Sequence, residues 1–73
     1  METYLRVTFS SEGATPSEIA DRLLSIGFHP TQGNYDFVYD WLGPASHERV
    51  LDLSDELTRR LRGYGVRFEI ETV

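Results

Sequence analysis

A chain of 73 residues, 40% hydrophobic and 26% charged, has the composition of an ordinary soluble globule and the length of one small domain, 1–73. Such a chain buries only about 60% of the surface it exposes when unfolded, which excludes a deep active site built from several shells of residues. Twelve acidic residues against seven basic ones leave a formal net charge of −5, which repels phosphate backbones and argues against nucleic acid as a partner.

All seven basic residues are arginines, and cysteine is absent, so disulfides, iron–sulfur clusters and thiol nucleophiles are excluded. No basic start with an apolar stretch follows Met1, and no apolar run nears the length of a membrane span. The expectation is a cytoplasmic protein with no membrane partner.

Tyr4 to Phe9 alternates, with Leu5, Val7 and Phe9 on one side and Tyr4, Arg6 and Thr8 on the other, which predicts a half-buried strand. Thr15-Pro16-Ser17-Glu18 then has the residues of a helix start: Thr15 as N-cap, Pro16 as the first helical residue and Glu18 as the return half of a capping box. Ile19, Ala20, Leu23, Leu24 and Ile26 make its apolar face, and Gly27 suits the left-handed position that ends a helix.

Phe28 to Trp41 predicts a hairpin turning at Gly33-Asn34. A two-residue turn sets Thr31 opposite Asp36, Pro30 opposite Phe37, His29 opposite Val38 and Phe28 opposite Tyr39, and residues directly opposite share a face. Phe28, Pro30, Phe37 and Tyr39 thereby sort onto an apolar side. His29, Thr31, Asp36, Val38 and Asp40 sort onto a mostly polar one, as a sheet covered on one face requires. Tyr35 and Trp41, at the ends of the second hairpin strand, continue its aromatic alternation and are expected to be partly covered.

After Gly43-Pro44, Val50, Leu53, Leu57 and Leu61 recur at helical spacing, predicting a helix from about Ser46 to Arg62. Asp55 with Arg59 and Glu56 with Arg60 are favourable i,i+4 pairs, and Gly63 or Gly65 ends the helix. Val66 to Glu71 alternates again, with Val66, Phe68 and Ile70 against Arg67, Glu69 and Glu71. The order βαββαβ implies the α+β fold class: a ferredoxin-like α-β plait whose antiparallel four-stranded sheet runs 4-1-3-2 with two helices on one face. Pro30 supports it, because it falls on an edge strand, where a missing N–H is tolerated.

In length, and in having Gly27 between the first helix and the second strand, the chain resembles ACT domains in outline. That resemblance implies a small-ligand sensor working as a dimer, with its site where the Gly27 turn meets a neighbouring subunit. Paired cysteines, which the copper-chaperone plaits use, are absent. An arginine in the first loop, which the acylphosphatase plaits use, is absent from Ser10 to Ala14.

His29 and His47 are the only histidines, and neither has metal-ligand spacing. His29 lies diagonal to Asp36 and Asp40 on the predicted open face, where a metal or acid–base site is weighed against a solvated histidine, and the solvated reading is preferred. No nucleophile and base can be assembled, so neither enzyme activity nor a cofactor is expected. What remains outside the core is a charged open face and a last-strand edge: Arg6, Asp36, Asp40, Arg67, Glu69 and Glu71. These residues are the expected interaction surface of a small non-catalytic assembly or regulatory module, with a protein partner or a homodimer as its complex.

Overall fold

Two alternating strands at the ends of the chain and two capped helices between them set the architecture. The computed structural model describes all of residues 1–73. Its elements are β1 (Glu2–Phe9), α1 (Pro16–Ile26), β2 (His29–Pro30), β3 (Phe37–Asp40), α2 (His47–Leu61) and β4 (Val66–Thr72). The sheet runs β2-β3-β1-β4 with every neighbouring pair antiparallel, which is the ferredoxin-like plait order. No helix is long and apolar enough to cross a membrane.

Helix α1 starts where its sequence says it should. The Thr15 hydroxyl accepts from the Glu18 N–H at 3.2 Å, and the Glu18 carboxylate accepts from the Thr15 N–H at 3.3 Å, so two otherwise orphaned donors are satisfied reciprocally. It stops at Gly27, whose φ of 118° is open to glycine and whose N–H closes onto Leu23 and Leu24. Ser46 caps α2 through its hydroxyl alone, which accepts from the Arg49 N–H at 3.2 Å. At the far end of α2, Glu56 takes both guanidinium groups, Arg59 at 3.1 Å and Arg60 at 2.8 Å. The expected Asp55–Arg59 pair is not formed, because Arg59 turns one residue further around the helix to share Glu56.

Both helices cover the face of the sheet that carries Leu5 and Phe37. Leu5, Ile19, Leu23, Phe28 and Leu57 are fully buried there, and Leu53, Leu61 and Phe37 nearly so. The hairpin register is the one alternation demands, His29 opposite Val38 and Pro30 opposite Phe37, but β2 is only two residues long. Pro30 is exposed, and so are Leu24 and Phe9 at 45% and 39%, because each lies at the margin of the layer rather than beneath both helices. Thr3 is the one buried polar side chain. Its hydroxyl meets the Thr72 hydroxyl at 2.8 Å and accepts from the Trp41 indole N–H at 2.9 Å, so nothing there is left unsatisfied.

Two loops close over the end of the core. Ser10 donates to the Gly65 carbonyl at 3.1 Å and Ala14 to the Tyr64 carbonyl at 2.8 Å. Gly13 sits between them so tightly that a Cβ there would stand 2.4 Å from the Tyr64 carbonyl oxygen.

Candidate functional site

The pairing of β1 with β4 decides which backbone groups are free. Glu2 and Val73 exchange both hydrogen bonds, each at 2.9 Å. In an antiparallel ladder such pairs alternate with non-bonded ones, so Tyr4 with Glu71, Arg6 with Glu69 and Thr8 with Arg67 are the bonded pairs of this unbroken register. The N–H and C=O groups of Val66, Phe68, Ile70 and Thr72 therefore point away from β1. Since β4 is the last strand of the sheet, no strand of the chain receives them. The opposite edge differs: β2 is short, and Pro30 has no N–H to offer.

Side chains of the same strands build the open face. Arg6 donates through Nε at 3.0 Å and Nη2 at 2.8 Å to the Asn34 carbonyl, while its Nη1 lies 3.8 Å from the Glu69 carboxylate. Tyr35 lies beneath the same guanidinium, 5.2 Å from its ring centroid, and stacks on Tyr4 at 5.1 Å. Its hydroxyl donates to the Glu71 carboxylate. That bond, reinforced by the glutamate's charge, holds the Tyr35 phenol above its ordinary pKa.

All six residues expected on this surface are exposed, and they differ in what their side chains do. Arg6, Arg67, Glu69 and Glu71 stand side by side on β1 and β4. Arg67, unlike Arg6, makes no ion pair or hydrogen bond through its guanidinium. The two aspartates direct their carboxylates to the backbone instead. Asp36 does not flank Arg6 as a charge; its carboxylate accepts from the Val7 N–H at 2.9 Å, and its own N–H donates to the Leu5 carbonyl at 2.9 Å. It thus extends the β1–β3 ladder past the last strand residue. Asp40 turns its carboxylate to the Leu42 N–H at 2.8 Å, fixing the bend in which Leu42 takes a φ of 58°. His29 sits opposite Val38, with both aspartates engaged by backbone.

Alternation also misplaces Tyr35. Parity puts it with Phe37, yet the chain bends at Asp36 and the ring crosses to the open face. The readable signal was Tyr4, which stands on the polar side of the first strand's pattern and gives Tyr35 a ring to stack on. These two tyrosines are the aromatics of the open face, while Phe37 and Tyr39 are packed with the core. Two depressions mark the surface. One, about 270 Å³, is bordered by Arg6, Thr8, Arg67, Phe68 and Glu69; the other, about 340 Å³, by Glu18, Asp21, Arg22, Ser25 and Arg60. Neither borders Gly27, where the space a Cβ would occupy lies 2.9 Å from the Tyr39 ring.

No family model matches the chain, and neither a curated protein nor a solved structure matches it significantly. The geometry is what bears on function.

Proposed function

We propose that the chain is a non-catalytic assembly module whose working surface is the β4 edge with the charged sheet face beside it. The observation that carries this reading is the row of outward-pointing backbone groups at Val66, Phe68, Ile70 and Thr72. An exposed edge of this kind is a template for another strand, and proteins that must avoid such pairing shorten the edge, bulge it, or place proline or charged side chains on it. The β2 edge is blunted by its length and by Pro30. The β4 edge is seven residues long, unbulged and free of proline, and its only guard is charge, Arg67, Glu69 and Glu71, which admits a strand whose charges match. Main-chain hydrogen bonds along it give affinity, and the flanking side chains give selectivity.

Charge narrows the partner. Glu2, Asp40, Glu69 and Glu71 outnumber Arg6 and Arg67 on the open face, so a strand of protein fits it better than a nucleic acid backbone. The stacked Tyr4 and Tyr35 rings are engaged with each other, which leaves bases no bare platform of the kind that RNA-binding sheets offer.

Amide hydrogen exchange tests the reading at the groups that carry it. The Phe68 and Ile70 amides exchange quickly in dilute protein and gain protection either as its concentration rises or when it is placed in extract of its own cells. Equally fast exchange of both amides under all three conditions overturns the reading.

A further inference from the structure

Resting on that reading, we infer that the strand received by β4 is the β4 of a second copy, docked antiparallel about a two-fold axis through Phe68. The register follows from two constraints. Outward-pointing groups sit only at Val66, Phe68, Ile70 and Thr72, and bonded antiparallel pairs must join such residues to one another. The registers that join at least three of these residues place the two-fold axis at Phe68, Glu69 or Ile70.

Charge separates the three. An axis through Glu69 sets Arg67 against Glu71 twice but also sets Glu69 against its own copy. An axis through Ile70 sets Glu69 against Glu71 twice. Like charges directly opposite are destabilising. An axis through Phe68 sets Arg67 against Glu69 of the second copy twice over, with no like-charged pair in the strand. Both groups are available for this. Arg67 has no partner within the chain, and Glu69 has an 80% exposed side chain held only by a 3.8 Å contact to Arg6.

The helix side of the strand agrees. There the same axis sets Phe68 against its copy and Val66 against Ile70, residues left half-buried in the single chain. Above them runs the flank of α2 that faces away from α1, where Leu51, Ser54 and Thr58 lie beside the exposed Asp55 and Arg62. Arg60 reaches Ser25 on α1 at 3.3 Å, and Leu51, nine residues earlier and so half a turn around the helix, faces the other way, 49% exposed. The Ser54 and Thr58 hydroxyls on that side fold back onto the Val50 and Ser54 carbonyls, each at 3.1 Å. The assembly is a continuous eight-stranded sheet, closed by its symmetry.

Sedimentation equilibrium of charge variants tests the register. The wild type is expected to dimerise. Arg67→Glu and Glu69→Arg, each alone, place like charges opposite one another at both symmetry-related positions and should weaken dimerisation roughly tenfold or more. An equimolar mixture of the two variants restores both pairs in a heterodimer, and the double exchange R67E/E69R restores them in a homodimer, so both should return to near wild-type affinity. Their recovery also shows that the single variants fold. Undiminished dimers of both single variants, or a mixture no tighter than its components, would sink the register. A wild type that stays monomeric at the highest attainable concentration overturns the second copy as partner. Protection of Phe68 and Ile70 in extract alone then leaves the edge reading standing, whereas its absence removes both.

Discussion

The Tyr35 hydroxyl donates to the Glu71 carboxylate, so a residue from the turn before β3 is tied to the edge strand across the width of β1. With Arg6 holding the Asn34 carbonyl from below, the β2–β3 loop is strapped over the open face at two points. Because the Tyr35 phenol is held above its ordinary value, its tie contributes below about pH 10 and is lost as pH rises through the raised folded value. Tyr35→Phe should shorten the alkaline end of the phenolate titration followed by ultraviolet absorbance. It should also leave the folded core unchanged, as read by near-ultraviolet circular dichroism. A titration curve that keeps its full alkaline extent would show that the tie is not formed in solution.

Thr15→Ala removes the acceptor for the Glu18 N–H and should lower stability by about 1 kcal/mol. The urea midpoint measures this. Thr15→Ser, which keeps the hydroxyl, is expected to stay close to the wild type, and equal losses in both variants would point away from the cap.

Gly13→Ala introduces a Cβ 2.4 Å from a backbone oxygen that cannot swing aside. The two loops must separate, at a cost of about 1–3 kcal/mol. Thermal denaturation should show the loss. Gly33→Ala provides the contrast, since a Cβ at Gly33 meets nothing within 4 Å and pays only for its φ of 97°.

Glu56 is held below the usual glutamate range, first by the hydrogen bond from Arg59 and then by that from Arg60. A depressed carboxylate stabilises the fold above its unfolded pKa, about 4.3, and that contribution disappears as pH falls through the lower folded value. Glu56→Gln is therefore expected to be less stable than the wild type at pH 7, with the gap closing in acid. A gap that is constant from neutral pH down to acid would mean that the charge is irrelevant and only packing was changed.

Local chemistry made much of this fold readable, and the unreadable parts have a common cause. The Thr15 and Glu18 pair, the glycine stop at Gly27 and the alternation of Val66 to Glu71 act over a few residues, and each leads directly to α1 or β4. The register of His29 with Val38 follows from one turn length and the need for a single apolar side. Asp36, by contrast, is used by Val7, Tyr35 by Glu71, and Thr3 by Trp41 and Thr72. Those pairs depend on strands that meet only after the chain has folded, and nothing in the spacing along the sequence encodes them. The candidate site divides the same way: Arg6, Arg67, Glu69 and Glu71 follow from alternation, whereas Asp36 and Asp40, though exposed, turn their carboxylates to backbone partners found in three dimensions.

The ladder that joins Thr3 to Thr72 gives the central strand a neighbour from the opposite end of the chain. Until Val66 to Thr72 has been synthesised, β1 lacks that partner and Leu5 lacks the wall formed by Ile70. Helix α1 and the β2–β3 hairpin can form beforehand, but they cannot close the core. Closure of this core thus waits for Val66 to Thr72, because the β1–β4 pairing joins residues more than fifty positions apart. A nascent chain stalled before Val66 exposes the flank of β1 that β4 later covers, so in the cell that flank is open to mispairing until Val66 to Thr72 has emerged.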